Sequence, residues 1–286
     1  MKLTIVGCTG SMSGPKSAAS SYLLQAPGPD GNGGTRIWSI LLDLGPGGYG
    51  QMWNYLKPTE LDAVALTHLH ADHCADLVSL HVFQKWAPCS SGGTISLIGP
   101  KGTTERIGQI DGNTQGSYDH EFDVTVISAH NREVEIGPFK ITAFPAWHPV
   151  RAWSYRIEGP AGFPTDEIGN AKQLGPVTQT QTAVFTYTGD TDLHDPTIAA
   201  ANGANLLLAE AGFTATEVPT NPDGSETRGI HMTAERTGQL AKSAGVGALV
   251  ATHIQPWTEA EVVEQEINST WDGPFEIAES GKSYLI

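Results

Sequence analysis

Basic residues are scarce in this chain: 16 Lys and Arg stand against 31 Asp and Glu, a formal net charge of −15. Binding along a nucleic-acid backbone needs a basic stripe to replace released counterions, and the sequence has no Lys/Arg cluster of that kind. Long nucleic acids are therefore not expected partners. Two divalent cations would bring the charge only to about −11, but bound ions dominate their local field, so a small phosphate ester stays open as a substrate. Cysteine is scarce too. Cys8, Cys74 and Cys89 are odd in number and irregularly spaced, which argues against a disulfide framework and fits a reducing compartment. Also missing are any apolar run of membrane-spanning length and any apolar signal region, since Met1-Lys2 leads straight into Leu3-Thr4-Ile5-Val6. A cytoplasmic protein with no membrane partner is expected. The sequence leaves a homodimer open.

What the chain does have is length and recurrent apolar runs. Its 286 residues suffice for a sizeable core. Apolar runs recur to the last residue, so one domain over 1–286 is expected, with a loop insertion at about 158–181. Strand-like runs occur at 2–6, 20–24, 37–42, 61–66, 95–98, 139–144, 154–157, 184–187, 205–208 and 248–251. Helix-like stretches include Cys74 to Trp86, one that follows Thr233 and stops near Gly245, and one that opens at Thr258, where Thr258 and Glu261 spell a capping box. Strands mixed with helices imply an α/β class.

The densest chemistry is Thr67-His68-Leu69-His70-Ala71-Asp72-His73, three imidazoles and a carboxylate in seven residues just after the apolar run Leu61 to Leu66. Ligand types crowd together in this way when a cation offsets their desolvation. A strand-to-helix loop can turn His68 and His70 toward one ion and Asp72 and His73 toward another. Further candidates follow other strand-like runs: His148 after 139–144, Asp190 after 184–187 and His253 after 248–251. A lone His or Asp at a strand end is as readily a capped turn or a core polar group. Their joint order, with strand ends gathered at one rim, predicts a single metal site.

These residues resemble the metallo-β-lactamase superfamily, whose αββα sandwich of two mixed sheets flanked by helices carries a dinuclear metal centre at one edge. By that resemblance His68, His70 and His148 bind one ion, Asp72, His73 and His253 the other, and Asp190 bridges them. Two divalent ions are implied, zinc first, with manganese or iron as alternatives. With Asp72 and no cysteine in the set, the chain looks less like true β-lactamases than like the branches of ribonuclease Z and glyoxalase II. His231, in Gly229-Ile230-His231-Met232-Thr233-Ala234, is similar to a non-ligand histidine that approaches the scissile phosphate in the ribonuclease Z-like branch, and Glu210 to the acid that orients it. A carboxylate on one ring nitrogen raises imidazole basicity and keeps a proton available on the other. The bland alternative makes His231 a helix cap and Glu210 a partner for buried amides.

The likeness extends to the actinobacterial metal-dependent cyclic nucleotide phosphodiesterases through Gly7-Cys8-Thr9-Gly10-Ser11, the histidine motif, Tyr187-Thr188-Gly189-Asp190-Thr191 and Thr252-His253-Ile254-Gln255-Pro256-Trp257. That resemblance implies hydrolysis of a small phosphodiester, 3′,5′-cyclic AMP-like, by attack of a metal-bridging hydroxide. Asp72 and Asp190 would orient the nucleophile, and His231 would serve the transition-state or leaving oxygen. Ribonuclease Z carries an arm between its counterparts of His148 and Asp190; here residues 156–182 are short and not basic, which weakens tRNA 3′ processing as the alternative. A thioester hydrolase of the glyoxalase II type needs no counterpart of His231.

Other residues carry less. His81 reads as packing or surface, and His120, His130 and His194 as solvated. The stretch Gly7 to Gly14 lacks a nucleotide-loop spacing and reads either as a cleft-lining turn or as a merely tight one. Asp43 resembles the acidic strand end that supports metal histidines in this superfamily. Trp53, Trp147, Trp153 and Trp257 could stack on a base, but core packing is the expected use of each.

Overall fold

Alternation along the strands decides the layers. In the computed structural model, which describes residues 1–90, 92–113 and 115–286, Leu3 and Ile5 of β1 (Lys2–Thr9) face one apolar cluster and Val6 faces another. The same split recurs in Leu24 against Leu23, in Ile40 and Leu42 against Leu41, and in Leu206 and Leu208 against Leu207. A strand apolar at every position is covered on both faces, so two sheets share a central core and each carries helices outside. Each fully buried side chain of this size stabilises the fold by roughly 1.5–3 kcal/mol.

The first sheet contains β1, β2 (Ala18–Ala19), β3 (Ser21–Pro29), β4 (Thr35–Leu42), β5 (Ala63–Ala65), β6 (Ile95–Pro100) and β7 (Phe122–Ile127). The second contains β8 (Glu133–Ile136), β9 (Phe139–Pro145), β10 (Trp153–Pro160), β12 (Thr182–Tyr187), β13 (Leu206–Glu210), β14 (Leu249–Thr252) and β15 (Phe275–Ile277), while β11 (Lys172–Gln173) and β16 (Ser283–Leu285) return to the first. Strand order is β11-β16-β1-β3-β4-β5-β6-β7, with β2 on β1, against β15-β14-β13-β12-β10-β9-β8. Helices α1 (Gly48–Met52), α2 (Ala71–Cys74), α3 (Leu77–Trp86) and α4 (Thr103–Asp111) belong with the first sheet, their apolar residues joining its outer cluster. Helices α5 (Asp195–Ala201), α6 (Ala234–Ala244) and α7 (Ala260–Asn268) cover the second. The αββα arrangement implied by the resemblance is the one found.

Direction is what positions the site. Strands β4 to β7 run parallel, as do β12 to β15, and β9 shares the direction of β12 because both are antiparallel to β10. Their C-terminal ends therefore collect at one rim. Two backbone bonds lock the sheets together there: His253 N–H donates to the Cys8 carbonyl at 3.1 Å and Trp153 N–H to the Thr67 carbonyl at 3.0 Å.

All ten expected strands are present, with differences of a few residues at their ends. Strands β2, β7, β8, β11, β15 and β16 were not expected. The expected helix from Cys74 to Trp86 is instead two: α2 begins inside the motif, and Leu44 interrupts the ladder by taking the His73 carbonyl and giving its own to Asp76. Asp72 and His73 are thus helical rather than in a loop. The capping box at Thr258 does not form. Its hydroxyl donates to Glu217 at 2.8 Å, and α7 starts at Ala260 with Glu259 as its cap. Thr233 does cap α6, accepting from Arg236 N–H, and Gly245 ends it in the left-handed region. The insertion is not all loop, since β11 within it pairs with β16 at the edge of the first sheet. Among the described residues, no helix is long and apolar enough to cross a membrane.

Candidate metal centre

The motif after β5 and the ends of β9, β12 and β14 converge. His68, His70, His148 and Asp190 form one group that could hold a metal ion, and Asp72, His73, Asp190 and His253 form a second, the ligand atoms within each lying inside 4.8 Å of one another. All seven residues expected from the sequence are present, and Asp190 belongs to both groups. In the first group His70 Nδ1 is 3.1 Å from both His68 Nε2 and His148 Nε2. In the second His73 Nε2 is 3.2 Å from Asp190 Oδ1 and 3.3 Å from Asp72 Oδ2, and His253 Nε2 is 3.4 Å from Asp190 Oδ2.

The outer nitrogens of four of these five rings are already engaged. His73 Nδ1 donates to Asp43 Oδ2 at 2.7 Å, His148 Nδ1 donates to the Ile230 carbonyl at 2.8 Å, His253 Nδ1 lies 3.0 Å from Ser20 Oγ, and His68 Nδ1 lies 3.1 Å from Thr67 Oγ1. The inner atoms His73 Nε2, Asp190 Oδ1 and His253 Nε2 are buried with no hydrogen-bond partner. Converging lone pairs with nothing between them are unfavourable unless a cation neutralises them, and orienting bonds on the far nitrogens are what metal-binding histidines use. The nitrogen and oxygen donor set suits zinc-like and manganese-like ions. The residues fit the group.

Burial and charge act together here. Burial drives His68 well below the usual imidazole range, with the neighbouring His73 adding to it, and it brings His253 down to about 4 against the pull of Asp190. His73 goes the other way: burial opposes its charge, but the Asp190 and Asp43 carboxylates override burial and hold the ring well above its ordinary value. Asp43 is fully buried, accepts from Thr67 N–H, Thr67 Oγ1 and Tyr187 OH, and sits at φ 57°. His253 sits at φ 58°. Left-handed backbone at residues with a Cβ costs about 1–2 kcal/mol each, and both instances hold site residues. Gly189, at φ 57°, lets Asp190 approach the motif: a Cβ there would meet the Thr67 side chain at 2.7 Å.

His231 and Glu210 come together beside the second group. His231 Nδ1 is 3.1 Å from Glu210 Oε1 and 3.8 Å from Asp190 Oδ2. Burial disfavours charge on the ring, yet Glu210 raises it to about 9. Burial also raises the Glu210 carboxyl, which His231 partly offsets. Glu210 accepts from Thr191 N–H at 2.7 Å and Gly212 N–H at 3.0 Å as well, so the carboxylate is fixed before it reaches the imidazole.

Several residues that the sequence did not mark support the site. Asp192 is fully buried and holds Arg228 through its Nε at 2.5 Å and Gly229 N–H at 2.9 Å, pinning the start of the segment that presents the Ile230 carbonyl and His231. Its only sequence signal is an acid two positions after Asp190. Ser20 carries no signal. Within the stretch Gly7 to Gly14, Gly10 packs against His253, where a Cβ would meet the His253 carbonyl at 2.3 Å. Trp153 is buried as expected, but Trp53, Trp147 and Trp257 are 54%, 43% and 61% exposed, against the expectation of packing. His81 is buried, His120 and His130 are exposed, and His194 is half-buried with Nδ1 2.7 Å from Thr197 Oγ1, so it is not simply solvated.

Two parallel strand sets meeting at a rim of histidines and aspartates define a metal-binding hydrolase of the β-lactamase type. A family model for the beta-lactamase superfamily domain matches residues 39–254, and the chain belongs to that superfamily. The uncharacterized protein Rv1339 of Mycobacterium tuberculosis is 32% identical over 276 residues, covering 96% of this chain and 88% of the relative. Ribonuclease BN of Escherichia coli is 26% identical over 289 residues, with 89% of each chain covered. The crystal structure of the metallo-beta-lactamase fold protein YhfI from Bacillus subtilis superposes with a TM-score of 0.76 at 26% identity, covering 99% of this chain and 98% of that one.

Proposed function

We propose that the protein is a dinuclear metal-dependent phosphodiesterase acting on small substrates, cyclic nucleotides of the 3′,5′-cyclic AMP kind, in the cytoplasm. The observation that carries this reading is the His231–Glu210 pair, an imidazole 3.1 Å from a buried carboxylate and 3.8 Å from the carboxylate shared by both ligand groups. Bound divalent ions, with zinc the first candidate, would polarise the phosphoryl oxygens and lower the pKa of water to supply a nucleophile. His68, His70 and His148 would hold one ion and Asp72, His73 and His253 the other, with Asp190 between them.

The chain's own residues then divide the work. Asp43 fixes the tautomer and aim of His73, and the Ile230 carbonyl does so for His148. Asp72, of the second group, and Asp190, which belongs to both, orient the nucleophile. Glu210 keeps His231 charged, so its proton is available to an oxygen that gains negative charge as the ester bond breaks. A site that stabilises such an oxygen with a cationic imidazole suits an alkoxide leaving group better than a thiolate, which leaves without protonation. The ring of Trp147, next to His148 and 5.3 Å below the Arg228 guanidinium, offers a surface for a nucleobase.

Ribonuclease BN among the relatives favours RNA as the alternative substrate. Against it stand the net charge of −15 and an insertion whose single lysine, Lys172, is paired with Glu276. Metal-loaded protein assayed on 3′,5′- and 2′,3′-cyclic nucleotides, bis(p-nitrophenyl) phosphate, precursor tRNA and a glutathione thioester tests the choice. Fast cyclic nucleotide turnover with slow tRNA trimming supports the proposal; efficient tRNA trimming at physiological salt without cyclic nucleotide turnover overturns it.

A further inference from the structure

Residues 128–130, which link β7 to β8, and residues 145–153, which link β9 to β10, enclose a groove of about 480 Å³. It lies on the rim of the metal centre. Strand β7 runs parallel to β6 and β5, so its end is level with theirs, and β9 leads through Pro145 to His148. The groove is lined by Ser128, His130, Pro145, Val150, Arg151 and Trp153, among others, and no acidic residue lines it. In a chain with 31 carboxylates and 16 Lys and Arg residues, a donor-rich groove free of acids is built against the general composition.

Its polar groups are donors without partners. Arg151 and His130 are exposed, and among the described residues neither side chain has an ion pair or hydrogen bond. Ser128 Oγ already accepts from His130 N–H and Asn131 N–H, which leaves its hydroxyl proton to give. Trp153 also lines the groove, but at 5% exposure it supplies wall there and not an accessible donor. On the neighbouring strand end, Lys101 is exposed and also without an ionic partner among the described residues.

We propose that this groove is a second anion subsite, which takes a phosphate group other than the one cleaved on nucleotides that carry two. The inference rests on the phosphodiesterase reading for the first phosphate. Arg151 is three residues from His148, so their Cα atoms are at most about 11 Å apart, a span that one nucleoside with a phosphate at each end can bridge. Val150 and Pro145 supply apolar wall for the sugar and base between the phosphates.

The test uses metal-loaded protein hydrolysing bis(p-nitrophenyl) phosphate, inhibited in parallel by adenosine 3′,5′-bisphosphate, adenosine 3′-monophosphate and adenosine 5′-monophosphate. The bisphosphate is expected to bind about tenfold more tightly than either monophosphate, the gain of one charge-assisted contact at an exposed site, and rising salt should erode the gain. Arg151→Gln should abolish it and Arg151→Glu should turn it into a penalty, both leaving turnover of the one-phosphate ester within about twofold of wild type. Equal binding of all three nucleotides, or an undiminished gain in Arg151→Gln, overturns the subsite. Calorimetric titration of the metal-loaded protein with the same nucleotides reads the same ratio without turnover. Absence of hydrolysis would therefore count against the phosphodiesterase reading alone, and absence of a bisphosphate preference against the subsite alone.

Discussion

The two ligand groups share Asp190 but are built differently. In the first, His68 is the one fully buried histidine, His70 and His148 are half-buried, and the outer nitrogens of His68 and His148 meet a hydroxyl and a backbone carbonyl. In the second, His73 and His253 are both buried, a second carboxylate, Asp72, joins, and Asp43 stands behind His73 with four hydrogen bonds to its two oxygens. More negative charge, deeper burial and a carboxylate behind a ligand all raise cation affinity. The second group is therefore expected to be the stronger anchor for a metal ion. The first, with two rings open to solvent, is where substrate can approach.

Removing what the groups share should have the largest effect. Asp190→Ala is expected to deplete both positions and lower turnover by on the order of 10³-fold or more, the scale of losing the metals' charge stabilisation; elemental analysis reads the metal loss, and circular dichroism separates it from misfolding. Next comes the pair that belongs to neither group. His231→Ala should keep its metals and fold while losing about 10²-fold in turnover, with a smaller loss for Glu210→Gln. Partial recovery on a p-nitrophenyl ester, whose leaving group needs no proton, would assign His231 as an acid, and equal losses on good and poor leaving groups an electrostatic role. A metal-depleted His231→Ala protein would return that residue to the ligand set.

Smaller effects sharpen the asymmetry itself. Asp43→Asn should weaken the second position by about 10–100-fold in metal affinity and leave the first nearly unchanged, read by competition with a chromogenic chelator. Loss confined to the first position would invert the comparison. Ser20→Ala removes only a hydroxyl contact to His253, and its effect on the same position should stay below about tenfold.

The seven candidate ligands were legible because their chemistry is local: imidazoles and carboxylates right after apolar runs need no tertiary information to be noticed. Ser20 and Asp192 were not, since each acts through a partner far away in sequence; Ser20 has nothing to announce it and Asp192 only its place two positions after Asp190. Fold reading failed for similar reasons. Strands β7 and β8 are edge strands with exposed Asp123, Val126, Glu133 and Glu135, so they lack a clean apolar run. The Thr258 hydroxyl is drawn to Glu217, and Leu44 breaks a helix that its own sequence supports. Basic residues on separate rim loops, Lys101 and Arg151, are invisible to a search for charge runs.

An uneven pair of metal positions bridged by Asp190 should be visible when metal-free protein is titrated with zinc by calorimetry while bound ions are counted. Two binding events per chain are expected, the tighter one weakened in Asp43→Asn and both lost in Asp190→Ala. A single event per chain, or two events that survive Asp190→Ala, would contradict the account.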